Sequence, residues 1–167
     1  YYTNTVLDLI SKNFKIGDII STKGYYNIGD GGDALYQIVL LTNTNPVGTN
    51  TTFIYQDKAY LNLSNGLQAQ IILNGTIKPD QLGAYGDYVY WGNEGHDDTQ
   101  AFLNMKLLVR NYAFYHKTVG NVSTYIANMP NLKVVFNSHK CYRVVGDGIF
   151  GSLWTNSQVD SGVLGLD

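Results

Sequence analysis

The stretch GAYGD at residues 83–87, followed after eight residues by HDDTQAF at residues 96–102, decides how this chain is interpreted. The first part has the composition of a glycine-rich turn. The second part is typical of a helix amino terminus, because Asp97, Asp98 or Thr99 can accept hydrogen bonds from unpaired first-turn amides. Both carboxylates also suit the positive end of the helix dipole. The stretch therefore predicts a turn that leads into a capped helix.

Apolar residues beyond the cap recur at spacings of three and four, which is the pattern of one buried helical face. They are Ala101, Met105, Leu108, Val109 and Tyr112, with Phe102 beside them. We predict a helix over residues 98–113 that packs this stripe onto the rest of the protein.

Three passages together resemble a known family. The GAYGD and HDDT motifs resemble the "GAxGDG…DDTxA" signature that opens the right-handed parallel β-helix of the pectate-lyase-like superfamily, found in many bacteriophage tailspikes and polysaccharide-degrading enzymes. Residues 132–145, LKVVFNSHKCYRVV, resemble the first rung of that β-helix, and residues 15–39 resemble the head module that precedes it in phage tailspikes. One departure is YVYWGNEG at residues 88–95, which lies where the family has a shorter connection without this insertion.

The resemblance implies a β-rich α+β fold. A small head domain with a short helix and antiparallel strands is followed by a capping helix and the first coil or coils of a right-handed parallel β-helix. We predict a head, or virion-linking, domain over residues 1–75, a linker over 76–82, and the capping helix with the truncated start of the β-helix over 83–167.

Local signals place the smaller elements. A capping box at Thr5 predicts a helix ending near Lys12, and Asn65-Gly66 predicts a tight hairpin turn. We predict strands at residues 19–22, 34–41, 53–56, 60–63, 67–73, 133–136 and 140–145. We predict a loop over 118–131, with a short strand at 123–127.

The composition limits the classes of partner. Charged residues make up 14% of the 167 residues, against about 25% in an average soluble domain, which suits an extracellular or virion protein. A net charge of −2 gives no basic surface for nucleic acid or an anionic membrane. Because the sequence begins with Tyr1 and ends in apolar residues at Asp167, we expect a piece of a longer protein.

The ionisable side chains have competing interpretations. Glu94, His96, Asp97 and Asp98 form a dense cluster that suits general acid–base work on a sugar, but helix capping explains the aspartates and is favoured. The resemblance agrees, since it implies an architectural motif with catalytic carboxylates on later coils. We therefore predict no catalytic residue in this chain, and architectural roles for a set comprising Gly83, Asp87, Asp97, Asp98, Thr99, Gly29, Gly31 and Gly32.

Metal, cofactor and thiol chemistry are not predicted. The loop at residues 29–33, GDGGD, is interpreted as a turn, since calcium loops of that composition need a repeated unit. The three histidines lack partners at zinc spacing. Cys141, between Lys140 and Tyr142 in an alternating stretch, is predicted to be a buried structural thiol.

The insertion is rich in aromatic residues. Tyr85, Tyr88, Tyr90 and Trp91 suit either a platform that stacks on sugar rings or packing between head and solenoid or between subunits. Packing is favoured, and Trp154 receives the same interpretation. The candidate glycan-binding residues are therefore Tyr90, Trp91 and Trp154.

The resemblance implies the amino-terminal part of a phage tailspike, which serves virion attachment and trimer assembly. It implies a homotrimer on the virion tail, contacts with other tail or baseplate proteins, and host surface polysaccharide bound or cleaved by the rest of the full-length protein outside the cell. Two alternatives stay open: the amino-terminal region of a secreted bacterial polysaccharide lyase or glycoside hydrolase, and a standalone carbohydrate-binding module.

Overall fold

The structure, a computed structural model, describes residues 1–41, 52–92, 94–119, 122–127 and 132–145. Within these residues the chain is β-rich, with a six-stranded mixed sheet and two smaller strand pairs. The β-rich character predicted from the sequence is confirmed. No helix among these residues is long and apolar enough to cross a membrane.

The amino-terminal half combines one helix with the six-stranded sheet. Its elements are β1 (Tyr2–Thr3), α1 (Val6–Ser11), β2 (Ile19–Thr22), β3 (Leu35–Val39), β4 (Phe53–Tyr55), β5 (Lys58–Asn62) and β6 (Gln68–Ile71). The strand order is β1-β2-β3-β6-β5-β4. β1 runs parallel to β2, and the other pairs are antiparallel. The short helix and the antiparallel strands predicted for this half are confirmed.

Helix α1 forms because its amino terminus is closed on both sides. The amide of Asp8 donates to Thr5 Oγ1, and the amide of Thr5 donates to the Asp8 carboxylate, each at 3.2 Å. This is the predicted capping box. Val6, Leu9 and Ile10 turn inward and are buried.

The second half contains the long helix and three short strand pairings. Its elements are β7 (Thr76–Ile77), a 3-10 helix at Pro79–Leu82, a 3-10 turn at Tyr90–Gly92, α2 (Thr99–Ala113), β8 (Phe114–Val119), β9 (Val122–Ala127) and β10 (Lys133–Val134). The predicted helix is confirmed as α2. The four apolar residues of its predicted stripe from Ala101 to Val109 are buried, and Tyr112 is half-buried.

Two predictions in this half are wrong. The loop predicted over 118–131 is largely the antiparallel hairpin of β8 and β9, because β-branched and aromatic residues flank Gly120-Asn121, a hairpin signal. The strand predicted over 140–145 is reduced to a single bridge from Cys141 to Asp87. Its backbone and side chains instead bind buried carboxylates, described below.

Two stretches of the second half run parallel to each other. Thr76 and Ile77 pair with Lys133 and Val134 in parallel register. Further along, Asp87 forms its parallel bridge to Cys141. The pairings are short, and the coils of a β-helix remain a prediction.

The hydrophobic core is continuous from α1 to β10. It includes Leu9 of α1, Tyr36 of the sheet, Met105 of α2 and Val134 of β10, each at most 2% exposed. Residues 76–82, predicted as a linker, form β7 and the 3-10 helix and contribute buried side chains. The domain boundaries themselves stay predictions.

Candidate functional site

The motifs singled out in the sequence meet in three dimensions. We call their meeting place the joint: the turn at residues 24–33, the 3-10 helix Pro79–Leu82, the GAYGD turn at residues 83–87, Asp98, and residues 140–143. Each part is separated from the others in sequence, so the hydrogen bonds between them fix the path of the chain.

The first part of the joint is a turn organised by one carboxylate. Asp30 Oδ1 accepts the amides of Tyr25 and Gly32, each at 2.9 Å. Its Oδ2 accepts the amides of Tyr26 and Asn27 at 2.7 and 2.9 Å. Burial raises the pKa of Asp30, but these four amide donors outweigh it, so the pKa lies below its ordinary value. The turn predicted at residues 29–33 is confirmed, and Gly29 and Gly31 have φ of +81° and +87°.

That turn is packed tightly onto the 3-10 helix. A Cβ atom at Gly32 would lie 2.5 Å from the Cβ of Tyr25 and 2.8 Å from the carbonyl oxygen of Asp80. Gly83 ends the 3-10 helix with φ of +96°, a conformation that disfavours residues with a Cβ. Both glycines therefore serve close backbone approach.

Asp80 is the buried acid at the centre of the joint. Its side chain is 1% exposed, Lys140 Nζ lies 2.5 Å from its Oδ1, and the Tyr142 hydroxyl donates to its Oδ2 at 2.8 Å. Lys140 Nζ also donates to the carbonyl of Tyr85 at 2.8 Å. Burial, with the negative charge of Asp80 beside it, raises the pKa of Tyr142, so the phenol stays a neutral donor. This ion pair ties residue 80 to residue 140.

Asp98 is a second buried acid, and its role differs from the one predicted. It is 1% exposed. Its carboxylate accepts the amides of Tyr85 at 2.6 Å, Gly86 at 3.2 Å and Arg143 at 3.3 Å. It therefore binds the GAYGD turn and the 140–143 segment instead of the first-turn amides of α2. Burial outweighs these donors and raises the pKa of Asp98.

The neighbours of Asp98 divide the remaining work. Asp97 Oδ1 accepts the amide of Thr99 at 2.9 Å, so the predicted capping role is confirmed for Asp97. Thr99 Oγ1 accepts the amide of Val145 at 2.7 Å and binds no amide of α2 in the printed contacts. The start of α2 is thus fastened along the segment that ends the described structure.

Aromatic rings join the head turn to the GAYGD turn. Tyr26 stacks on Tyr85 with ring centroids 3.9 Å apart, and Tyr85 stacks on His96 at 3.7 Å. The Tyr26 hydroxyl donates to the carbonyl of Gly83 at 2.9 Å. Burial is the main cause that raises the pKa of Tyr26. The two families of motif are therefore in direct contact.

The insertion at residues 88–95 is a short hairpin, which we call the insertion hairpin. Asp87 and His96 close its base: the Asp87 carboxylate accepts the His96 amide at 2.9 Å and lies 2.8 Å from its Nδ1. Those two contacts, the amide first, lower the pKa of Asp87. Val89 and Glu94 exchange backbone hydrogen bonds of 2.8 and 3.4 Å. The hairpin is thus held at two levels.

The predicted aromatic and acidic candidates separate in space. Trp91 at the hairpin tip is 93% exposed, so it does not pack between head and solenoid. Packing between subunits and glycan stacking stay open. The side chain of Tyr90 and the whole of Trp154 lie outside the described part of the chain. Among the described residues, no three His, Cys, Asp or Glu side chains converge.

Cys141 contradicts the prediction of a buried thiol, because it is exposed. The alternation of the segment has the opposite phase: Lys140 and Tyr142 turn inward to Asp80, which leaves Cys141 outside. Sequence reasoning also missed Asp80, Lys140 and Tyr142 as a set. Their contacts join residues 60 and 62 positions apart, and no local pattern marks such a pair.

Comparison with known proteins gives a distant likeness. No family model and no curated protein matches this chain. Among solved structures, it is similar to the full-length tailspike protein 2 (TSP2, ORF211) from Escherichia coli O157:H7 bacteriophage CAB120, with a TM-score of 0.43 and 18% identity. The match covers 67% of this chain and only 13% of that one, so this chain corresponds to a small part of the tailspike's length.

Proposed function

We propose that this chain is the amino-terminal structural part of a phage tailspike, which links the spike to the virion and supports assembly of a trimer. The observation that carries the proposal is the joint. The motif typical of the head and the motif typical of the β-helix entrance pack directly on each other through Tyr26 and Tyr85. Such contact suits a part whose task is to hold two modules in one orientation.

The buried acids of the joint support a structural role. Asp80 and Asp98 are each held by two or three donors from distant segments. A buried carboxylate with satisfied hydrogen bonds fixes geometry, because breaking any one contact leaves a charge or an amide unpaired. A general acid, by contrast, must reach a substrate, and neither carboxylate is accessible. The proposal therefore assigns no catalysis to this part.

The parallel pairings support the proposed start of a right-handed β-helix. In a solenoid each coil lies parallel to the previous one and contacts only its neighbours. The pairing of β7 with β10 and the bridge from Asp87 to Cys141 have that sense. On this proposal, further coils stack on residues 132–145, and polysaccharide binding or cleavage belongs to those coils in the full-length protein.

The proposal includes partners and location. We propose a homotrimer on the virion tail, contacts between the head and other tail or baseplate proteins, and an encounter with host surface polysaccharide outside the cell. These partners follow from the assigned role and from the composition, which is poor in charge and rich in tyrosine.

Light scattering coupled to size-exclusion chromatography tests the proposal. We expect a mass three times the 18.5 kDa of one chain. A stable monomer at micromolar concentration contradicts the assembly role. Release of soluble sugar from bacterial capsule by this chain contradicts the assignment of catalysis to the missing coils.

A further inference from the structure

The insertion hairpin carries one large apolar ring outward on a short support. Trp91 lies in the 3-10 turn Tyr90–Gly92, and it is 93% exposed. Burying a tryptophan contributes much to binding, because the ring is large, rigid and has a polar N–H at one edge. A tip of this kind has the form of a recognition element.

The support holds the ring in place before any partner arrives. The Asp87–His96 contacts and the Val89–Glu94 hydrogen bonds close the hairpin. Gly95 has φ of +123°, and a Cβ there would lie 2.6 Å from Tyr88 Cα, so the two arms approach closely. A binding element that is already ordered loses less conformational entropy on association.

The hairpin is also anchored to the joint. The His96 ring at its base stacks on Tyr85, which stacks on Tyr26. Arg143, from the last described segment, lies over the ring of Tyr88 with 5.9 Å between the guanidinium carbon and the ring centroid. The tip therefore moves with the joint and presents Trp91 in a fixed direction.

The surroundings of the tip are too polar for the centre of a protein interface. Such centres are depleted of charged residues, and their aromatic anchors fill desolvated pockets. Here Asp87 and His96 are exposed at the base, and Asp97 follows them, also exposed. Glu94 folds against Gly92, its Cδ lying 3.3 Å from where a Gly92 Cβ would be. An aromatic ring bordered by hydrogen-bonding groups matches a ligand with one apolar face and a polar edge.

A pyranose ring is a ligand of this kind. Its C–H groups form an apolar face that packs on an indole, and its hydroxyl groups donate to carboxylates and accept from N–H groups. We infer that the insertion hairpin is a saccharide-binding site, in which Trp91 stacks on a sugar ring and Glu94 at the tip accepts hydrogen bonds from its hydroxyls. The site lies on this chain's own hairpin, so the inference stands independently of the proposed function.

Tryptophan fluorescence tests the inference directly. The chain has two tryptophans, so W154F leaves Trp91 as the sole reporter. The probes are cellohexaose, chitohexaose and hexagalacturonate, which supply neutral, N-acetylated and uronate rings, and a glycan array of bacterial surface polysaccharides. We expect a saturable blue shift with at least one probe, because stacking removes the indole from water. No shift with any probe at millimolar concentration, together with an empty array, overturns the inference.

Variants separate stacking from other causes. W91A is expected to lose about tenfold in affinity, and W91F only part of that, because a smaller aromatic ring still stacks. Tyr1→Ala is the matched control, since Tyr1 is 81% exposed and outside the hairpin, and it is expected to bind normally. Saccharide binding unchanged in W91A overturns the inference.

Light scattering distinguishes the remaining possibility. A W91A protein with reduced oligomer mass and unchanged saccharide binding makes the tip a protein contact, which overturns the inference. A monomeric parent that binds saccharide through Trp91 contradicts the proposed assembly role and supports the saccharide site. The two claims therefore fail separately.

Discussion

Replacing Asp98 with alanine removes the one side chain that binds the GAYGD turn, the 140–143 segment and the start of α2. Three amides, of Tyr85, Gly86 and Arg143, lose their acceptor in a place where Asp98 is 1% exposed. Leaving a buried donor unpaired costs roughly 1–3 kcal/mol. The desolvation of the lost carboxylate offsets part of the sum, so we expect D98A to lower the free energy of unfolding by about 3–5 kcal/mol.

Urea unfolding followed by circular dichroism measures this loss, and two variants serve as comparisons. D98N keeps one acceptor oxygen and is expected to cost about 1–2 kcal/mol. Asp97→Ala removes an exposed cap of the same helix and is expected to cost about 1 kcal/mol. A D98A protein no less stable than D97A refutes the assignment of Asp98 to the joint.

The pH dependence of D98A has a defined sign. Burial raises the pKa of Asp98 above 3.8, so the folded state favours the protonated acid. Its contribution is fully present below the unfolded-state pKa and is lost as pH rises through the raised pKa. The penalty of D98A is therefore expected to be smaller at pH 7 than at pH 4.

Three other variants test separate parts of the joint. Lys140→Met leaves the buried carboxylate of Asp80 without its cation, and we expect a loss of about 3–5 kcal/mol in unfolding free energy; a loss below that of an exposed lysine variant contradicts the ion pair's role. The lowered pKa of Asp30 gives stability that is present above pH 3.8 and lost as pH falls through the folded-state pKa, so the acid limb of a stability–pH curve should flatten in Asp30→Asn. An equally steep limb opposes this. Gly32→Ala forces a Cβ to 2.5 Å from Tyr25 Cβ and should cost about 2 kcal/mol or more by thermal unfolding, whereas Gly66→Ala meets no atom within 4 Å and should cost only the strain of positive φ, about 1 kcal/mol.

The sequence predicted the local features of this chain well. The capping box at Thr5 and the apolar stripe of α2 depend on residues three or four apart, so periodicity and capping chemistry are sufficient. The turn at Gly29 and Gly31 follows from the conformational freedom of glycine. These features place the long helix and both glycine-rich turns of the joint.

The long-range features were not predictable in the same way. The bonds of Asp80 to Lys140 and Tyr142 join residues 60 and 62 positions apart, and nothing near Asp80 in sequence marks it as buried. The phase of residues 140–142 depends on that acid, and for this reason Cys141 was assigned to the wrong side. Asp98 was assigned to the nearest amides in sequence, whereas the tertiary structure offers it amides from two other segments.

The most direct test of the central claim is an electron cryomicroscopy map of the full-length protein that contains this chain. The account predicts three copies around an axis, the joint with Tyr26 stacked on Tyr85, and chain beyond residue 145 stacked in parallel on residues 132–145 as further right-handed coils. A map in which Tyr26 and Tyr85 are separated, or in which the following chain folds as an independent module without parallel coils, contradicts it.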